Sequence, residues 1–114
     1  MAELKELLEL NDLEEVWITS TDKPVLLFKQ STTCPISAEA FEQFQQFLRE
    51  SEDDIAAYYV KVRESRPVSN KIEEELGVQH QSPQIFLVKN KKAVWNTSHM
   101  DITKENIEEA IKGE

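Results

Sequence analysis

Cysteine is nearly absent from this chain: Cys34 is the only one among 114 residues. A single cysteine excludes a disulfide within the chain and any metal site built on a cluster of thiolates. Together with His80 and His99 it could supply three ligands only if the fold brought them together, and their spacing matches no zinc motif. We therefore predict no metal centre and no permanently bound cofactor.

Long apolar stretches and basic side chains are also scarce. No apolar run approaches the ~18 residues that cross a bilayer, and the charged residues 1–6 are unlike a signal peptide. The 13 basic residues against 22 acidic ones give a net charge of −9, which disfavours a nucleic-acid or anionic-membrane surface. These absences predict a cytoplasmic protein without nucleic-acid or membrane partners, and the length predicts one domain over residues 1–114.

The stretch around Cys34 combines three structural signals. It follows an apolar run at residues 25–28, which predicts a buried strand. It precedes apolar residues at three- and four-residue spacing from Pro35 to about Ser51, which predict an amphipathic helix. Proline is favoured at the first helical position, so Cys34 is predicted to be the N-cap. The free amides and the dipole of the first turn stabilise an anion there, which favours a reactive thiolate over a small buried thiol.

The rest of the chain predicts alternating strands and helices. Residues 4–10 form either a short strand or a helical turn, and Asn11 with Glu14 predicts a capping box for a helix at 12–20. Further along we predict strands at 25–29 and 56–62. Residues 63–67 lead into a helix that has Val68, Ile72 and Leu76 on one face and is closed by Gly77. After it we predict strands at 84–89 and 93–96 joined by the link 89–92, and a last helix capped by Thr103. This order predicts an α/β fold whose mixed sheet is flanked by helices.

A cysteine at the first strand–helix junction and a proline just before the third long strand resemble the thioredoxin-like arrangement. A closer resemblance, to the YtxJ-like monothiol bacilliredoxins, rests on residues 28–37 (FKQSTTCPIS), 66–70 (RPVSN) and 77–84 (GVQHQSPQ). The resemblance covers nearly the whole chain. It implies a thioredoxin-like fold with a central mixed sheet of four to five strands and helices on both faces.

The resemblance also implies an activity. Cys34 is expected to remove bacillithiol from S-bacillithiolated client proteins in a stress response, with bacillithiol, a low-molecular-weight thiol, as co-substrate. Ser82 and Pro83 are expected to form a cis-proline loop packed against the Cys34 turn, where the Ser82 backbone docks the substrate. The remaining residues expected to bind substrate surround the cysteine, and they are Thr33, Pro35, Ile36 and Ser37.

Ser37 determines which kind of exchange Cys34 can carry out. Dithiol relatives have a second cysteine three residues after the first, and that thiol resolves the mixed disulfide internally. Here the position is Ser37, whose hydroxyl cannot take over the sulfur, so a mixed disulfide on Cys34 must await an external thiol. The Ser37 hydroxyl is predicted either to hydrogen-bond the thiolate or to satisfy the backbone.

Several other polar residues are weaker candidates. Lys29, Arg63 and Arg66 could hold an anionic small thiol, although exposure to solvent is the favoured interpretation for all three. His80, close to the proline loop, either contacts substrate or makes a structural hydrogen bond. Thr33 either lines the pocket or caps the turn.

Two rival functions stay open at this stage. Cys34 could be the nucleophile of a thiol peroxidase or a redox sensor, in which it is oxidised to a sulfenic acid. Alternatively the chain could be a redox-silent interaction module with a thioredoxin fold, which predicts a buried Cys34 that resists mild alkylation.

Overall fold

The computed structural model describes residues 4–51 and 54–113. The strands are β1 (Leu4–Glu6), β2 (Val25–Gln30), β3 (Ala56–Lys61), β4 (Gln84–Lys89) and β5 (Lys92–Ser98), and the helices are α1 (Asp12–Thr19), α2 (Pro35–Glu50), α3 (Arg66–Leu76) and α4 (Lys104–Gly113). A 3₁₀ turn at His99–Asp101 lies between β5 and α4. The predicted order of elements is confirmed, and the first element is a strand.

The five strands form one mixed sheet in the order β1-β3-β2-β4-β5. β3 runs parallel to both β1 and β2, whereas β4 is antiparallel to β2 and β5 is antiparallel to β4. β2 is therefore the central strand, and residues 25–29 are all buried, as expected for a strand covered on both faces. The segment that follows β2, and with it Cys34, consequently lies at the middle of one sheet edge.

Helices cover both faces of the sheet, as predicted. Alternate residues of β2 point to opposite faces, so Phe28 belongs to the core cluster that includes Phe44 of α2 and Ile107 of α4. Leu27 belongs to the other cluster, which contains residues of α1 and α3 such as Ile72. Phe28 and Phe44 stack with ring centroids 5.3 Å apart. None of the described helices is long and apolar enough to cross a bilayer.

The predicted capping box at the start of α1 is wrong. Asn11 has helical dihedral angles (φ −62°, ψ −26°) and makes no side-chain capping bond. Instead, the Asp12 carboxylate accepts the backbone N–H groups of Leu8 at 2.8 Å and Glu9 at 3.0 Å. These two bonds to the preceding turn lower the pKa of Asp12, and the bond from Glu9 has the larger effect. The acceptor thus reaches backward from inside the helix, which a capping-box pattern does not detect.

The β4–β5 hairpin is tighter than the predicted link at residues 89–92. Lys89 and Lys92 pair within the sheet, so only Asn90 and Lys91 form the loop, with φ angles of 51° and 66°. Two left-handed residues are typical of a type I′ turn, whose twist matches that of the strands. β5 also continues to Ser98, beyond its predicted end. The added residues are polar and give no apolar pattern, although they pair with β4.

Gly77 is required by the backbone at the end of α3. It has left-handed angles (φ 67°, ψ 25°), and its N–H donates to the Glu73 carbonyl. A Cβ at this position would meet no atom within 4 Å, so an alanine costs only conformational energy. We expect Gly77→Ala to lower the free energy of unfolding by about 1–2 kcal/mol in urea titration. Gly113→Ala, also without a close neighbour, is the control, and equal midpoints for both variants would contradict this account of the helix end.

Candidate functional site

Cys34 lies between β2 and α2, as the N-cap residue that the sequence predicts. Its backbone is extended (φ −111°, ψ 124°), and Pro35 is the first residue of the helix. Its carbonyl accepts the N–H of Ala38 at 3.1 Å, whereas its sulfur makes no capping hydrogen bond to α2. The side chain is half-buried, so the sulfur combines access to solvent with a position at the amide-rich end of a helix. The interaction-module alternative had predicted a fully buried cysteine.

Ser37 satisfies the backbone, which is one of the two roles predicted for it. The residue is fully buried, and its Oγ accepts the N–H of Ser31 at 2.8 Å. This bond spans the turn that carries Cys34 and so fixes the conformation of residues 31–37. The position occupied by a second thiol in dithiol relatives is therefore filled by a hydroxyl that holds the turn.

The other predicted residues around Cys34 face solvent. Thr33, Pro35 and Ile36 are all exposed, and Ile36 retains 42% of its accessible surface. The Oγ1 of Thr33 lies 3.5 Å from the Oγ of Ser31, which is a long and weak contact within the turn. These side chains are therefore available to a molecule that approaches the sulfur.

Two depressions adjoin this turn. The larger, a groove of about 440 Å³, lies between the start of α2 and the 3₁₀ turn, and its lining includes Ile36, Met100 and Ile102. Met100 is 79% exposed, an unusual exposure for so large an apolar side chain, and acidic residues Glu39 and Glu105 also line the groove. Sequence reasoning missed this groove because the segment 98–101 has no periodic pattern.

A smaller pocket of about 330 Å³ is lined by Thr32, Thr33, Arg63 and Glu64. Thr32 donates its hydroxyl to the Glu64 carboxylate at 2.9 Å, and this bond is the main reason that the pKa of Glu64 is lowered. Arg63 is exposed, as predicted, and so is Arg66. The pocket therefore offers hydroxyl and guanidinium donors close to the residue that precedes Cys34.

The Ser82–Pro83 bond is cis, as predicted. Lys29 of β2 pairs with Gln84 of β4, and Pro83 directly precedes Gln84. The proline loop, like the Cys34 turn, therefore lies at the end of β2. The carbonyl of Pro83 accepts the N–H of His99 at 3.0 Å, so the 3₁₀ turn meets the same edge.

Lys29 is not at the surface, contrary to the favoured interpretation. The residue has no accessible surface, and its Nζ lies 3.0 Å from the Nδ1 of His80 and 5.8 Å from the centroid of the Phe86 ring. Burial lowers the pKa of Lys29 to about 8, against the opposing charge of Glu73. Side chains two apart in a strand lie on the same face of the sheet, so Lys29 shares the buried face of Leu27. The sequence already contained this signal, but the charge of Lys29 favoured the interpretation that it is exposed.

His80 makes structural hydrogen bonds, which is one of its two predicted roles. Its backbone N–H donates to the Glu73 carboxylate at 2.7 Å, and its ring meets Lys29 as described. Burial and the Lys29 charge lower the pKa of His80. Over residues 4–51 and 54–113 no group of three His, Cys, Asp or Glu side chains is arranged to hold a metal ion.

Comparison with known proteins identifies the family. The model of a family described as monothiol bacilliredoxin BrxC matches residues 5–107. A solved structure described as a candidate oxidoreductase with a thioredoxin fold is 37% identical, with a TM-score of 0.84, over 95% of this chain and 93% of that chain.

Thioredoxins share the fold at lower identity. The reduced thioredoxin pre-protein of Schistosoma mansoni is 21% identical, with a TM-score of 0.78 and 97% coverage of both chains. Fasciola hepatica thioredoxin is 15% identical, with a TM-score of 0.78, over 96% of this chain and 97% of that chain. Fold and family together support a thiol redox function, and the chain belongs to the BrxC family of monothiol bacilliredoxins.

Proposed function

We propose that this protein removes bacillithiol from S-bacillithiolated client proteins by monothiol exchange, with Cys34 as the nucleophile. The observation that carries the proposal is the setting of the chain's single thiol: Cys34 is half-exposed at a helix N-cap. Ser37 stands where a resolving thiol would be. Membership of the bacilliredoxin family supports bacillithiol as the small thiol.

The exchange transfers a disulfide without net oxidation. The Cys34 thiolate attacks the bacillithiol sulfur of the mixed disulfide, the client–bacillithiol S–S bond breaks, and a Cys34–bacillithiol S–S bond forms. The client sulfur leaves as a thiolate and takes a proton from water. A second bacillithiol then attacks the adduct as its thiolate, which regenerates Cys34 and yields bacillithiol disulfide.

Four further contacts complete the proposal. An extended client segment docks on the backbone of Ser82 beside Pro83, and Pro35 and Ile36 form the apolar surface next to the sulfur. Ser37 holds the turn through its bond to Ser31. Bacillithiol itself lies towards Thr33, where the adjoining pocket offers the Thr33 hydroxyl and the Arg63 guanidinium as donors for carboxylate groups.

The proposal sets the protein in the cytoplasm as part of a thiol stress response. Exchange of this kind requires thiols that are kept reduced, which is the condition of the cytosol. The client proteins are those with cysteines that react with bacillithiol, and no resident cofactor enters the reaction.

The test compares two mixed disulfides of one client peptide, one with bacillithiol and one with glutathione. Release of the peptide thiol is followed at neutral pH with catalytic amounts of protein and an excess of the matching free thiol. We expect faster release from the bacillithiol disulfide and slow consumption of hydrogen peroxide in a parallel assay. Equal rates for both disulfides would remove bacillithiol from the proposal, and rapid peroxide consumption would favour the peroxidase alternative.

A further inference from the structure

Lys29, which is buried, and His80, which is half-buried, form a polar pair that the exchange reaction does not use. Lys29 is fully buried, and its Nζ lies 3.0 Å from the Nδ1 of His80. Burying an amino group is costly unless it is paired, and a methionine would fill similar space without this cost. The position of the pair, between the central strand and the proline loop, indicates a role in the site.

The loop at residues 78–83 is held by three more hydrogen bonds. The N–H of His80 donates to Glu73 Oε2 at 2.7 Å, and the N–H of Gln81 donates to Gln84 Oε1 at 3.1 Å. The side-chain amide of Gln84 donates to the carbonyl of Gln79 at 3.1 Å. These bonds tie the loop to α3 and to its own strand β4. The Lys29 bond ties it to β2, the strand that runs directly into the Cys34 turn.

We propose that Lys29 is a positioning residue, which acts through the His80 ring to fix the Ser82–Pro83 loop relative to the Cys34 turn for client docking. This inference rests on the proposed exchange function, because docking beside Pro83 is part of it. Lys29 itself touches neither the client nor the reacting sulfur.

The direction of the hydrogen bond follows from the charges around the pair. An ammonium donates and cannot accept, so a charged Lys29 requires an unprotonated Nδ1 and leaves the His80 proton on Nε2. Glu73 from α3 favours positive charge on the pair, whereas Arg66 at the start of α3 disfavours it on the histidine. From β4 the pair is faced by the Phe86 ring, which has no titratable group. The pair therefore carries one positive charge at neutral pH, on Lys29.

The stability of the fold should report this buried charge through its pH dependence. Because the pKa of Lys29 falls from 10.5 to about 8 on folding, the unfolded chain binds more protons between these two pH values. Stability therefore rises with pH across that window, and the cost of the charge is fully present below pH 8. Lys29→Met removes the cost, so its melting temperature should exceed that of the wild type at pH 7. The difference should shrink as the pH approaches 10.5.

The test measures docking and loop order in four variants. Lys29→Met and His80→Leu each break the bond, whereas His80→Asn keeps an acceptor near the position of Nδ1. Lys92→Met, at the opposite end of the sheet on an exposed residue, is the matched control. For the bacillithiol mixed disulfide we expect Lys29→Met and His80→Leu to raise KM about tenfold, equivalent to about 1.4 kcal/mol, with kcat unchanged. His80→Asn should restore most of the loss, and Lys92→Met should resemble the wild type.

Measurements without substrate separate this inference from the proposed function. NMR of the wild type should show His80 protonated on Nε2 at pH 7, and the amide protons of His80 and Gln81 should exchange faster in Lys29→Met than in the wild type. If the wild type fails to release bacillithiol from the client, the proposed function fails while these readouts still test the positioning of the loop. An unchanged KM with unchanged amide exchange, or a loss of stability without a KM effect, would overturn the inference.

Discussion

Cys34→Ser is expected to reduce the release of bacillithiol from a client peptide to the rate of the protein-free control. A serine hydroxyl cannot form the intermediate mixed disulfide, and the chain has no other thiol to replace it. Serine is a favoured N-cap residue, so the variant should keep the stability of the start of α2 or increase it by about 1 kcal/mol. The loss of exchange would then be chemical, with a native circular dichroism spectrum and an unchanged or slightly higher melting temperature.

The control for this variant is Ala38→Ser, an exposed position one turn further along α2. It introduces the same hydroxyl without touching the sulfur and should retain wild-type exchange. Residual exchange in Cys34→Ser above the protein-free rate would mean that another group carries the reaction, and the assignment of Cys34 as nucleophile would then be wrong.

Ser37→Cys should convert the monothiol site into a dithiol site. Positions three apart in a helix have Cβ atoms about 5–6 Å apart, slightly more than the ~3.5–4.5 Å of a disulfide. A small adjustment at the extended Cys34 should close this gap. Under mild oxidant we expect an internal disulfide, detected as a mass lower by two hydrogens. The bacillithiol adduct on Cys34, which should accumulate in the wild type, should be short-lived in this variant because the new thiol resolves it.

The substitution also removes the bond from Ser31 to the Ser37 hydroxyl. Ser37→Ala separates this cost from the effect of the thiol, since it should lose about 1 kcal/mol of stability without gaining an internal disulfide. Two free thiols that persist in Ser37→Cys under oxidant would contradict the helical spacing assigned to residues 34–37.

The predictions that held depend on neighbours in the sequence. Cys34 followed by Pro35 defines a helix start through local backbone preferences, and the apolar spacing that follows defines the buried face of α2. The predicted cap at Thr103 also held, because its Oγ1 accepts the backbone N–H of Asn106 at 3.1 Å. The order of strands and helices follows from the same kind of local pattern, and with it the edge of the sheet on which the site is built.

Three features were wrongly predicted or missed, and two of them depend on partners far away in the chain. Lys29 is polar in isolation and becomes internal because His80, 51 residues later, supplies an acceptor within the fold. Asn11 offered a capping pattern, but its own carbonyl and the carbonyls of the preceding turn already accept the first N–H groups of α1, as in the bond from Glu14 to Asn11 at 3.2 Å. The 3₁₀ turn with Met100 has no periodic apolar pattern. It becomes part of the site only because β5 ends at the same edge of the sheet as Cys34.

The central claim is that the sulfur of Cys34 takes bacillithiol from a client and holds it until an external thiol arrives. Intact-mass spectrometry of the wild-type protein, after one equivalent of bacillithiolated peptide without free thiol, measures this directly. The account predicts one bacillithiol adduct per chain, mapped to Cys34 in the segment 28–37, and one equivalent of freed peptide. An unmodified protein with intact mixed disulfide, or an adduct of the peptide in place of bacillithiol, would contradict it.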